Sequence, residues 1–111
     1  MELIEGKALP SLSRVKEPTR RPLRVGLVQT RWHENPDEHV AALRTGIASC
    51  ARAGAKMVFL QELTLSRYPA DVRPSGVPNE TAEHLLEGPT FALASAAAKE
   101  HGIFVHASLF R

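Results

Sequence analysis

The chain has 111 residues, 43% of them hydrophobic and 23% charged, with a formal net charge of +2. That size and balance fit one soluble globular unit and are short for a multi-domain enzyme. The charge is unevenly placed. Residues 1–24 hold six Lys/Arg against Glu2, Glu5 and Glu17, whereas the remainder holds eight against nine Asp/Glu, so the pI near 9.0 belongs to the leader. A basic leader can touch nucleic acid or an anionic membrane. Pro10, Pro18 and Pro22 among its charges instead read as a solvated, poorly ordered extension over residues 1–22, so neither nucleic acid nor membrane is expected as a partner.

Cys50 is the one cysteine, which rules out an intramolecular disulfide and fits a cytoplasmic setting. No apolar run approaches the ~20 residues of a membrane span. The leader also lacks the apolar core of a secretory signal.

The structured part is expected over residues 23–111. Leu23-Arg24-Val25-Gly26-Leu27-Val28-Gln29 is apolar and rich in branched residues, the pattern of a buried strand. Asn35-Pro36-Asp37-Glu38 then predicts a helix start, with Asn35 as N-cap, Pro36 at the first helical position and acids in the first turn. Glu38 stands where a capping box reaches back. Val40, Leu43, Ile47 and Cys50/Ala51 recur at helical spacing, and Gly54 suits the position just past the helix end.

Lys56-Met57-Val58-Phe59-Leu60 predicts a second buried strand. Residues 61–80, with Pro69, Pro74, Gly76 and Pro78, read as a loop longer than ordinary connections. Residues 81–87 read as a short helical turn ending at Gly88. Pro89 opens an Ala-rich helix to about His101, Gly102 closes it, and Ile103–Leu109 predicts a third strand.

The order strand, helix, strand, loop, helix, strand indicates an α/β fold with a parallel sheet and right-handed crossovers. Two crossover helices cover one face of a three-stranded sheet, while parallel sheets are almost always covered on both. The pattern is therefore that of part of a larger domain.

Glu62, just beyond the second strand in Leu60-Gln61-Glu62-Leu63, is the leading candidate for catalysis. Ligands in open α/β sheets bind beyond the carboxyl ends of the strands, where Gln29, Thr30, Gln61 and Glu62 all fall. Walls of Phe59, Leu60 and Leu63 would strip water from the carboxylate and raise its pKa, as a general base near neutral pH requires. Tyr68, ahead of Pro69, is a candidate substrate-binding residue beside Glu62. Arg31 and Trp32 are placed to line the same crevice.

Dinucleotide binding is excluded in its usual form, because Thr30-Arg31-Trp32-His33-Glu34 has no glycine and neither G-x-G-x-x-G nor a P-loop occurs. The five histidines (33, 39, 84, 101 and 106) show no H-E-x-x-H spacing. They read as surface or helix-end residues, with His106 packed in a strand, so no metal is expected. Cys50 falls on the apolar stripe near a helix C-terminus, whose negative dipole end opposes a thiolate. It reads as core packing rather than as a nucleophile.

Arg24-Val25-Gly26-Leu27-Val28-Gln29, Asn35-Pro36 and Gly54-Ala55-Lys56-Met57-Val58-Phe59-Leu60-Gln61-Glu62-Leu63 together resemble the opening of nitrilase-superfamily carbon–nitrogen hydrolases. Tyr68-Pro69, Gly88-Pro89-Thr90 and Gly102-Ile103-Phe104-Val105 continue the resemblance, which covers residues 23–111. It implies a partial αββα sandwich, commonly dimerised, and hydrolysis of a small amide, carbamoyl compound or nitrile by a Glu-Lys-Cys triad without metal or organic cofactor. Only the Glu maps onto this sequence, at Glu62. Lys99 stands in a helix before the third strand and Cys50 in the first helix, so neither matches its family position. The expectation is an amidase-like chain that begins a catalytic site without finishing it. The alternative is an inactive remnant or a non-catalytic binding module.

Overall fold

The computed structural model describes residues 1–7, 9, 10, 12, 13, 16–71, 73 and 81–111. Arg14 of the leader, and Pro74, Gly76 and Pro78 of the expected long loop, lie outside the described residues. Among the described residues, 1–24 contain no helix or strand.

The elements follow the predicted order: β1 (Val25–Leu27), α1 (Pro36–Arg52), β2 (Met57–Phe59), a 3-10 turn (Pro69–Asp71), α2 (Pro89–His101) and β3 (Phe104–His106). The three strands form one parallel sheet in the order β1-β2-β3. Each strand is shorter than predicted, but the ladder continues past its ends. Lys56 donates to the Arg24 carbonyl (2.9 Å) and Phe104 to that of Lys56 (3.0 Å) at one end, Val28 to Phe59 (2.9 Å) and Leu60 to His106 (3.0 Å) at the other.

Local chemistry accounts for the helix ends. The Asn35 side chain accepts from the backbone of Asp37 (2.9 Å) and Glu38 (3.4 Å), with Pro36 opening the helix. Glu38 does not reach back, so the expected capping box reduces to its Asn35 half. At the far end Gly54 takes φ +87°. Its N–H donates to Ala51 (2.9 Å) while that of Ala55 donates to Cys50 (3.0 Å), the paired bonds of a Schellman motif.

The N-terminus of α2 is capped from outside the helix. Gly88 has no side chain to offer. Glu83 supplies the cap instead, accepting from the Thr90 backbone (2.9 Å) and hydroxyl (2.8 Å). The expected helical turn over 81–87 narrows to a turn at Leu85–Glu87 that closes through the Gly88 N–H to the His84 carbonyl at 2.8 Å. A Cβ on Gly88 would stand 2.7 Å from that carbonyl oxygen, so glycine is needed for the close approach.

Leu43, Ile47 and Cys50 of α1, Leu93 and Ala97 of α2, and Val58 of β2 form the core with Val28, Ala55 and Leu60. In the sheet, Gly26, Val58 and Val105 share one cross-strand row on the helix side. The flanking rows, Val25-Met57-Phe104 and Leu27-Phe59-His106, point away from the helices. This corrects the reading of β1 as a buried strand, for Val25 is 47% exposed and Leu27 73%; on β3, Phe104 is 75% exposed. Right-handed crossovers, the rule for parallel strands, put successive helices on the same side, and α1 and α2 share one core against the sheet, so among the described residues the far face is open. No helix among the described residues is long and apolar enough to cross a membrane.

Candidate active site

The loops after β1 and β2 leave the carboxyl end of the sheet side by side, the end at which such sheets bind ligands. The loop after β2 starts with buried Leu60 and passes through Gln61, Glu62, Leu63 and Thr64. Glu62 is exposed, which corrects the expected hydrophobic walls. Leu60 turns into the core, and Phe59 lies on the open sheet face, its ring 5.3 Å from that of His106. Among the described residues, therefore, no apolar wall encloses the Glu62 carboxylate.

The turn that carries Glu62 is nevertheless firmly built. Leu63 has φ +52°, left-handed backbone that costs a non-glycine residue roughly 1–2 kcal/mol. Fully buried Thr64 holds the turn in that shape. Its N–H donates to the Ser108 carbonyl (2.9 Å), its hydroxyl donates to the Gln61 carbonyl (3.1 Å), and that hydroxyl accepts from the Ser108 N–H (3.1 Å). Its own carbonyl accepts from His39 Nε2 at 2.9 Å.

His39 is the residue that sequence reasoning missed. It is 2% exposed, in the first turn of α1, with the Trp32 ring 4.7 Å away and His33 Nδ1 3.3 Å from its own Nδ1. The surface or helix-end reading holds for His84 and His101 and fails for His39. The signal was its position four residues before Leu43, on the same stripe as Ile47 and Cys50. His39 also links the two loops, because Trp32 and His33 belong to the first and Thr64 to the second. Arg67 pairs with Glu34 across the same gap at 3.3 Å.

Tyr68 is 50% exposed at the start of the 3-10 turn. A cavity of about 960 Å³ includes Arg31 but neither Glu62 nor Tyr68. It lies instead along β1 and α1, roofed by Met1–Gly6. Trp32 packs against His39, and its indole N–H is buried without a partner among the described residues. Lys99 is in the last turn of α2. Among the described residues no group of three or more His, Cys, Asp or Glu is arranged to hold a metal ion.

Cys50 packs in the core, where burial pushes its thiol pKa above the ordinary value. A neutral, enclosed thiol is a poor nucleophile. In the folded chain Cys50 is expected to react with iodoacetamide at least about tenfold more slowly than a free cysteine, and at the free rate in urea. Equal rates in both would show that the thiol is accessible. The raised pKa adds stability below the ordinary thiol pKa, and that contribution is lost as pH rises through the folded value.

Residues 24–111 match the family model for carbon–nitrogen hydrolases. Neither the curated proteins nor the solved structures gave a significant match. The family match takes in the whole sheet, both helices and the turn that bears Glu62, and the protein belongs to the carbon–nitrogen hydrolase family, the nitrilase superfamily, of whose domain it carries the N-terminal portion.

Proposed function

We propose that Glu62 is the general base of a hydrolase acting on the carbon–nitrogen bond of a small amide, carbamoyl compound or nitrile. The observation that carries this is the coincidence of the family match with a glutamate held at the carboxyl end of β2 on a braced, strained turn. In the mechanism that the family implies, the glutamate takes the proton of a cysteine thiol and the thiolate attacks the substrate carbon. A lysine stabilises the resulting oxyanion, and the glutamate then activates the water that releases the acyl group. Glu62 supplies the first and last of these proton transfers. Cys50 and Lys99 do not supply the others, the first being sealed in the core and the second placed on α2.

The same reading extends to the partial αββα sandwich. The open face of β1, β2 and β3 fits a second sheet, and residues 1–22 stand outside the hydrolase domain as an extension. It also includes Tyr68 as a substrate contact and a cytoplasmic setting. The exposure of Glu62 favours a second reading, in which these 111 residues act as a non-catalytic module of hydrolase descent.

Two arms test the proposal. The chain alone is expected to release no ammonia from amides, carbamoyl compounds or nitriles. Joined to the Lys- and Cys-bearing remainder of a carbon–nitrogen hydrolase domain, it is expected to turn over substrate and to lose about 10²–10⁴-fold on Glu62→Gln. Turnover that survives this substitution rules Glu62 out as the base. No turnover in either arm supports the second reading.

A further inference from the structure

The contacts around His39 assign a hydrogen-bond direction. A carbonyl oxygen only accepts, so the 2.9 Å contact with Thr64 requires a proton on His39 Nε2. The other ring nitrogen, Nδ1, faces His33 Nδ1 at 3.3 Å, and two like nitrogens at that distance share one proton. The arrangement that buries no charge has His33 Nδ1–H donating to His39 Nδ1. Gln61 Nε2 stands 3.5 Å from His39 Nε2, at the limit of a hydrogen bond, so the 2.9 Å contact with the Thr64 carbonyl is the one that sets the proton. Trp32 closes the remaining side of the ring.

We propose that His39, as the Nε2–H tautomer set by His33, is the positioning residue of the Glu62 turn. Beside the two bonds between Thr64 and Ser108, the turn is held on both sides of Glu62: the Thr64 hydroxyl holds the Gln61 carbonyl on one side, and His39 holds the Thr64 carbonyl on the other. Between these bonds the backbone has the left-handed Leu63, a shape that persists where the surroundings over-determine it. The histidine therefore fixes where the carboxylate stands without touching it. Its importance for catalysis rests on the reading of Glu62 as the base; the contact itself does not.

Two measurements test it. Nitrogen-15 NMR of the imidazoles in the unmodified chain is expected to show His39 as the Nε2–H tautomer with a slowly exchanging ring proton, and His33 as Nδ1–H. The opposite tautomer at His39, or a ring proton in free exchange with water, overturns the proposal. Amide hydrogen exchange then compares His39→Leu, which lacks the donor, with His39→Gln, whose amide reaches the same carbonyl. His39→Leu is expected to lose at least about fivefold protection at the Thr64 and Ser66 N–H groups, with His39→Gln within about twofold of the parent. The sheet amides of Val28 and Leu60 keep parental rates in both. Unchanged turn amides in His39→Leu, or equal losses in turn and sheet, sink it. If His39→Leu does not fold, the tautomer measurement still decides. Neither readout needs turnover, so a failure here stands apart from a failure of Glu62 as the base.

Discussion

Gly26→Ala is expected to destabilise the chain by about 3 kcal/mol, the upper end of the usual range for overpacking a core. A Cβ at this position would stand 2.6 Å from both Cβ and Sγ of Cys50, and 3.3 Å from a Val58 methyl. The Sγ can rotate away, but the Cys50 Cβ is fixed to the α1 backbone. Relief therefore requires α1 to back off from the sheet. That opens a gap around Leu43 and Ile47, both completely buried between the same two layers. A gap of 0.5–1 Å forfeits roughly a quarter to a half of each contact's attraction, so the loss spreads beyond the added methyl. Small domains hold only about 5–15 kcal/mol in total.

A second substitution separates this cause from a general intolerance of side chains in β1. Cys50→Gly removes both clashing atoms, at its own cost of about 0.3 kcal/mol in helix propensity plus lost packing. The double variant is expected to be more stable than the sum of the single effects by at least about 1 kcal/mol, a coupling that only neighbours show. Urea unfolding followed by Trp32 fluorescence measures all four chains. Gly26→Ala within about 0.5 kcal/mol of the parent would mean that the layers are not in this contact.

The parts legible in the sequence are those written in neighbouring residues. Asn35-Pro36 and Gly54 bound α1 because caps involve only residues within a turn of one another. The Glu83 cap escaped notice because it reaches α2 from beyond the N-cap, across a turn. Hydrophobic pattern identified three strands but misjudged β1 as buried. Val25 and Leu27 have the composition of a covered strand, and composition does not reveal whether the cover is among the described residues. Counting crossovers did reveal it, since two helices on one side leave the other bare. At the site, the placement of Glu62 beyond β2 followed from strand length alone. Its exposure did not, because Leu60 and Phe59 alternate to opposite faces of the sheet rather than closing around it. His39 was overlooked because a polar residue on an apolar stripe is discounted by any count of hydrophobic positions, while its partner Thr64 is distant in sequence.

The bare face leads to the other large effect: the chain is expected to self-associate, and two lysines are expected to make it monomeric. The outward rows Val25-Met57-Phe104 and Leu27-Phe59-His106 make a largely apolar patch across all three strands, with Val25, Leu27 and Phe104 exposed and Met57 and Phe59 half-buried. Patches of this kind on soluble proteins mark interaction surfaces or association hazards. The outer strands β1 and β3 add edges that pair with no further strand among the described residues. Leu27 and Phe104 stand on different strands and rows of the patch, and neither belongs to the core. Leu27→Lys with Phe104→Lys should therefore leave the fold within about 0.5 kcal/mol per site while placing two charges where a partner's apolar surface would sit. Sedimentation is expected to show the parent growing with concentration and the double variant as a single species near 12.1 kDa. The variant is also the background in which the Gly26 measurements are cleanest, because association would otherwise add its own free energy to every unfolding curve. Should the lysine variant associate as the parent does, the open strand edges are the cause and the face is not. A parent that stays monomeric at every concentration removes the prediction, and with it the argument that this face is built to be covered.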